Sequence, residues 1–430
     1  VTLVLSASAL LAALFAPQVV RYILAPGFAA TDPAKEALTV ELLRLQLPSA
    51  VIFGLSGLAM GTLNAHQRFL YPALAPLMYK LGWIGGIMLL APWLGIYGLG
   101  WGVLVGAALH LGLQVPGLLR LPERRYSFTL GLENPAVREV ARLMGPRLLG
   151  VAVVQLNFLL NTFLASSQPE GSLAAISLAF PLMIMPQAAI AQSAAIAALP
   201  TFSAQAALGK LDEMRASLAA TLRGVLLLAI PATVGLVLLR KPVVALIYEH
   251  GEFTSASTEL VAWALLWYAL GLVWHSVLEV ISRAFYALHD TKTPVVVGVA
   301  AMSLNLIFSL LFSELFRRAG WAPHGGLALA NSLATLLETC ALLYLMRRRL
   351  NGLDGRRILE AVGQGGLGAL GMGAALFGWL AAAAPLGVVL LGLGGVALGA
   401  AVYLALLALL RVGELQLAWA MLRRRLLRKG

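Results

Sequence analysis

His275, Glu279 and Arg283 recur at steps of four inside the apolar stretch WHSVLEVISRAFYALHDTKTP, residues 274–294. On a helix this spacing puts an imidazole, a carboxylate and a guanidinium on one face within about 12 Å of axis. A charge at the centre of a membrane helix costs roughly 2.5–3.5 kcal/mol on insertion scales, so the stripe is expected to face a bundle interior, a polar cavity or a ligand. Two chemistries fit it. One is an ion pair four residues apart that holds the protein together. The other is an arginine that meets an anionic group while the carboxylate and imidazole tune its charge or accept a proton.

Other polar side chains also interrupt apolar runs. Lys80, midway through PLMYKLGWIGG, either snorkels and pairs within the protein or supplies a phosphate-binding cation. His110 and Glu338 sit mid-run and are expected to line a cavity or to pair with each other. Gln155, Asn157 and Asn161 form a polar strip suited to hydrogen bonds between helices. Arg147, following Gly145 and Pro146, fits an interfacial anchor or a phosphate contact.

The elements that must carry these residues are membrane helices. Sixty per cent of the 430 residues are apolar and only 12% charged, and a mean hydropathy of +0.87 exceeds what a soluble core requires. The apolar runs are long enough for spanning helices, whereas a barrel would alternate in segments of about ten residues. Twelve runs are expected, at about 1–25, 40–65, 71–92, 95–119, 143–165, 173–200, 222–247, 258–287, 294–316, 325–346, 358–383 and 386–410. The net charge of +12 sits in short loops and the tail, not on a soluble nucleic-acid module. Alternate loops hold Arg68, the arginines 120–142, Lys210, Lys292 and Arg347–Arg349, so the positive-inside rule puts both ends of the chain in the cytoplasm. A lone Cys340 leaves no disulfide framework and no cysteine metal site. Nucleophile elbows, phosphate-binding Gly-rich loops and HExxH are absent from the sequence, and no loop is large enough for a catalytic domain, so neither an enzyme nor a cofactor is expected.

The chain also repeats itself. Pro17, Val19, Val20 and Phe28 return as Pro242, Val243, Val244 and Phe253 at an offset of 225, Pro72 returns as Pro294 at 222, and Gly98 returns as Gly326 at 228. Paired spans lie six apart and run the same way, as in parallel-repeat transporters with a site between two bundles. The second-half charges Glu279 and Arg283 correspond to Gly57 and Gly61 in the first half. On this register the fifth and sixth spans lack upstream partners, so two further helices are expected before Val1.

LPSAVIFGLSGLAMGTLNAHQRFLYPALAPL, GIYGLGWGVLVGAALHLGLQVPGLLR, VVQLNFLLNTFLASSQPEGS, ALPTFSAQAALG, HGEFT and SRAFYALHDTKTPV together resemble the MurJ (MviN) lipid II flippases of the MOP transporter superfamily. The resemblance covers nearly the whole chain. It implies an all-α polytopic fold with two six-helix lobes related by a parallel repeat, plus two C-terminal helices that form a groove for a lipid tail. About twelve of those fourteen helices are present: an incomplete N-terminal lobe at 1–125, a C-terminal lobe at 126–350, and the added pair with a basic tail at 351–430.

The implied task is alternating-access movement of lipid II, an undecaprenyl-pyrophosphate-linked disaccharide-pentapeptide, from the inner to the outer leaflet of a bacterial plasma membrane. Membrane lipids and cell-wall synthesis proteins are the implied partners, and nucleic acid is not. A related exporter of another polyprenyl-linked glycan or of an organic cation, or a non-transporting cell-wall scaffold, remain alternatives. In most members the sixth span present here carries a Tyr-Ala-Asp-Arg run and a glutamate, but this chain has Ala179, Phe180, Pro181, Leu182, Met183 and Ile184. Arg283 and Lys80 thereby become the lead cations for the pyrophosphate, with Glu279 standing where the family has a lysine. Some members hold sodium with two aspartates and an asparagine. The matching positions are Asn161, Ser309 and Asn305, so sodium coupling is not expected.

Overall fold

A computed structural model describes residues 2–121, 135–383 and 387–414, with the side chains of 29–31, 136, 140–151, 153 and 154 outside the described set. The described chain is helical almost throughout. A backbone surrounded by hydrocarbon must satisfy its own N–H and C=O groups, and a helix does so within one segment.

In order the helices are α1 (Thr2–Leu14), α2 (Ala16–Leu24), α3 (Pro26–Thr31), α4 (Pro33–Ala65), α5 (Leu70–Leu94), α6 (Ile96–Leu119), α7 (Pro135–Ser166) and α8 (Ser172–Ala207). They continue as α9 (Leu211–Leu238), α10 (Arg240–Tyr248), α11 (Ser255–Ala269), α12 (Leu272–Ala287), α13 (Lys292–Arg318), α14 (His324–Arg349), α15 (Gly355–Ala382) and α16 (Val388–Leu409). Among the described residues nine helices are long and apolar enough to cross a membrane, or eleven if each of two bent pairs counts as one span.

Two expected spans have a different form. The run 1–25 bends by 75° between α1 and α2, where Pro17 enters the first turn and a π-helical turn, Val20–Leu24, follows. The run 258–287 bends by 48° between α11 and α12. There Gly271 packs so tightly on α14 that a Cβ would lie 2.6 Å from Ser332 Oγ. The stripe at 275–283 therefore rides on the 16-residue second limb of a bent pair. The run 143–165 lies inside α7, a continuous helix of 32 residues.

The chain forms two compact units, Val1–Val151 and Ala152–Gly430. In the first, α5 and α6 approach through glycines. A Cβ on Gly82 would meet Gly106 Cα at 2.3 Å, and one on Gly86 would meet Gly102 Cα at 2.3 Å. Small residues four apart let membrane helices pack backbone to backbone, where dispersion contacts replace a hydrophobic drive that lipid cannot supply. Gly95, at φ +56°, makes the turn that returns α6 along α5. An Arg21–Glu36 ion pair of 2.8 Å ties α2 to α4.

The second unit has larger buried clusters. Phe202, Met214, Leu218, Leu222, Ile281 and Phe285 fill one between α8, α9 and α12. Met183, Leu265, Leu272 and Leu327 fill another between α8, α11, α12 and α14. Leu227, Met372, Leu376 and Tyr403 seat α15 and α16 on α9, and the Tyr403 hydroxyl donates to Leu227 O at 2.5 Å. Large side chains such as Leu310, Leu311, Leu370 and Phe377 point outward, as a lipid-facing surface requires.

Candidate functional site

The 275–283 stripe divides its loyalties. His275 Nε2 lies 3.1 Å from Asn331 Oδ1 and 3.3 Å from Thr335 Oγ1, both on α14. An amide oxygen only accepts, so the imidazole proton sits on Nε2. The Phe180 ring packs edge-on against this imidazole at 6.3 Å between centroids. One turn further on, Arg283 Nη2 donates to Glu279 Oε1 at 2.8 Å and Nε adds a longer bond at 3.3 Å to the same oxygen. Both side chains are about one-quarter exposed, so the pair neutralises itself within α12 while leaving one carboxylate oxygen and part of the guanidinium free to meet a ligand.

Lys80 stands on the exposed side of α5, with Nζ 5.2 Å from the Trp83 ring centroid and 5.7 Å from that of Tyr79. No carboxylate pairs with it among the described residues, and the aromatic faces stabilise its charge without cancelling it. His110, by contrast, is closed into the first unit. Gln114 Nε2 donates to Ser56 Oγ at 2.6 Å, and the same hydroxyl shares a hydrogen bond of 2.6 Å with His110 Nδ1. Phe53 covers the ring edge-on at 5.4 Å. The i,i+4 spacing of His110 and Gln114 is visible in the sequence, but Ser56 comes from a helix far upstream and carries no local signal.

Asn161 belongs to a chain of amides. Its Nδ2 donates to Asn157 O and Oδ1 at 3.0 and 3.1 Å, and Asn157 Nδ2 donates to Asn305 Oδ1 of α13 at 3.0 Å. Asn305 Nδ2 and Ser309 Oγ are buried without a partner among the described residues. These residues do not fit a sodium ion: two of the amide oxygens it would need already accept hydrogen bonds, and no carboxylate stands among the four. Among the described residues no group of three or more His, Cys, Asp or Glu side chains could hold a metal. Arg147 lies outside the described side chains.

At the register where the family carries its Tyr-Ala-Asp-Arg run, the second unit is apolar, with Pro181 exposed and Phe180 and Ile184 half-buried. Ala179, Leu182 and Met183 are buried, and Phe180 stacks edge-on with Tyr268 at 5.2 Å. Openings lie elsewhere in this unit. A cleft of about 1260 Å³ between α9, α12, α14 and α15 is lined by Leu226, Ile230, Trp274 and Leu359, with Arg347 and Arg356 at its mouth. A groove of about 440 Å³ between α9, α15 and α16, lined by Leu236, Met372, Leu376 and Tyr403, is almost wholly apolar. The polar mouth of the first suits a headgroup region, and the second suits a hydrocarbon chain.

At one end of the unit, ionic ties hold the helix ends. Arg349 pairs with Asp290, while Arg215 bonds Asp212 at 3.0 Å and lies 3.8 Å from Asp354. Asp290 accepts from Thr293 N at 3.0 Å and Thr293 Oγ1 at 2.8 Å. Those two bonds, the backbone one foremost, hold its carboxyl below the usual carboxylate range, and Arg349 adds to the effect.

Comparison with known proteins agrees with this architecture. A family model described as "Lipid II flippase MurJ" matches residues 1–397. A lipid II flippase MurJ from Burkholderia cenocepacia is 30% identical over 73% of this chain and 60% of its own length. A probable lipid II flippase MurJ from Bdellovibrio bacteriovorus is 30% identical over 79% of this chain and 64% of its own. The chain thus spans a little over three-fifths of the length of these relatives. A solved structure of lipid II flippase MurJ in an inward closed conformation superposes with a TM-score of 0.79 at 24% identity, covering 95% of this chain and 81% of that one. An inward-facing multidrug resistance MATE transporter of the MOP superfamily reaches 0.64 at 14% identity, over 82% and 80% of the two chains. These are transporter folds, not enzymes. The chain belongs to the MurJ lipid II flippase family.

Proposed function

We propose that this protein carries lipid II from the inner to the outer leaflet of a bacterial plasma membrane by alternating access, with both ends of the chain in the cytoplasm. The observation that carries the reading is the family match across residues 1–397, on a chain whose described residues are helical almost throughout and largely apolar. The apolar groove beside α15 and α16 supports it, because a polyprenyl tail needs a hydrocarbon-lined path while its headgroup crosses. The collection of Arg215, Asp290, Arg349 and Asp354 at one end of the second unit supports the assigned sidedness.

The repeat is proposed as two halves, with 1–125 in an N-terminal lobe, 126–350 in a C-terminal lobe and 351–430 as the added pair and tail. Paired local features support it. Gln67 and His289, at the offset of the Pro72 and Pro294 match, both turn with φ of 57°. Gly98 presses on the Ala91 backbone as Gly326 presses on that of Phe312. Arg283 and Lys80 are proposed as the pyrophosphate-contacting cations. Glu279 sets the charge of Arg283, His275 braces α12 on α14, and Asn161 and His110 support the helices around them.

In cells depleted of their own flippase, the native gene should restore growth and peptidoglycan synthesis. Lys80→Ala and Arg283→Ala should each remove the rescue at normal protein level, while Glu279→Gln, which frees the guanidinium, should retain it. Full rescue by both alanine variants would refute the residue assignment. In reconstituted vesicles labelled lipid II should become accessible at the far leaflet, and none would move if the protein were only a scaffold for cell-wall enzymes. A second cargo reading, another polyprenyl-linked glycan or an organic cation, draws on the apolar packing at Ala179–Ile184, since the family's charged run is missing there. Competition between lipid II and other lipid-linked sugars decides between them.

A further inference from the structure

Glu338 lies near the middle of α14, about 16 Å of helix axis from Arg349. It is half-buried, and neither an ion pair nor a hydrogen bond reaches it among the described residues. Toward α13 its Oε1 lies against Gly298, where a Cβ would come within 3.2 Å. The glycine thus leaves room for this carboxyl and offers it no polar atom from a side chain.

The charged and titratable groups on the surrounding helices are committed elsewhere or distant along the chain. α13 carries none between Lys292 and Glu314, and α8 carries none at all. On α12, His275 is bound to Asn331 and Thr335, Arg283 to Glu279, and Tyr286 is exposed near the helix end. On α11, Glu259 pairs with Lys241 and Tyr268 is buried. On α14 itself, His324 is bound to Leu260 O at the first turn, Arg347 is at the far end, Cys340 is exposed and Tyr344 faces Arg348. The repeat-related residue in the other half, His110, is sealed by Ser56 and Gln114, so the two halves differ at this level.

A carboxylate held without a cation in an apolar span is costly, whereas its neutral acid is tolerated there, and contact with water reverses the preference. We propose that Glu338 is a proton-binding site of the second unit: its carboxylate takes one proton from water on one side of the membrane and returns it to water on the other. Only an O–H bond forms and breaks. Resting on the transporter reading above, this makes proton movement accompany cargo movement.

The test uses the full protein in vesicles with a pH-sensitive dye inside, labelled lipid II in the membrane and imposed pH or sodium gradients. Wild type should respond to the pH gradient, with a rate changing about tenfold per pH unit where a single proton is limiting. Glu338→Gln should lose that response, and Glu338→Asp, which keeps a carboxyl, should regain it. Infrared titration of the detergent-solubilised protein without cargo should show a carboxylic-acid band that Glu338→Gln removes. A Gln variant with the wild-type pH response, or an unchanged carboxyl band, overturns the proposal, as does a response that follows sodium instead of pH. If no lipid II moves but the band is assigned to Glu338, the proton site stands and the cargo reading fails.

Discussion

Asp290 is a residue whose contribution can be read from its partners alone. Thr293 and Arg349 favour its ionised form, so its folded carboxyl titrates below the unfolded one. Its stabilising effect is complete above about pH 4, the ordinary carboxylate range, and is lost as pH falls through the lower folded value. Asp290→Ala should therefore lower the unfolding temperature in detergent at pH 7 by an amount equivalent to about 1 kcal/mol, the usual worth of such a cap. The gap from wild type should shrink in acid. Asn157, Asn161, Asn305 and Ser309 lead to a different expectation. With no carboxylate and with oxygens already engaged, they should confer no saturable sodium response in unfolding temperature, and sodium should not change translocation when osmolarity is held constant. The sequence revealed these substitutions because identity alone decides charge. It could not reveal that Asn157 would engage Asn305, since that bond depends on how α7 meets α13.

At the scale of the elements, the α5–α6 contact is the most sharply defined. Gly102→Val would drive side-chain atoms into the Gly86 backbone, and overpacking of this kind costs about 1–3 kcal/mol. Its thermal stability in detergent should fall accordingly, whereas Gly57→Ala, which meets nothing within 4 Å, should be neutral or slightly stabilising. Helix type was legible because long apolar runs in lipid have one economical backbone solution. The bend between α11 and α12 was not, as it arises against a partner distant in sequence: Gly271 gains its close approach only because Ser332 lies opposite. The stripe at His275, Glu279 and Arg283 was legible as a periodicity. Its division into an interhelical brace and an internal ion pair was not, since Asn331 and Thr335 are nearly sixty residues away.

For the whole molecule, family membership was carried by motifs spread along the chain, and the match to residues 1–397 bears it out. Residue roles were less accessible because the chain departs from its family where charge would have marked the site, and Met183 and Leu182 now complete a buried core there. Growth rescue and leaflet accessibility test the molecule's task, while variants at Lys80 and Arg283 test its chemistry. The junction of α11 and α12 carries one more implication. Ser332 Oγ donates to Trp267 O at 2.7 Å, satisfying a carbonyl that the bend would otherwise leave stranded, and the absence of a Cβ at Gly271 lets α14 sit flush in the angle. This junction is a braced elbow, not a hinge: motion would have to break the strut before the limbs could fold. Any transport stroke should therefore carry α11, α12 and α14 together as one lever, with its flexure placed outside them.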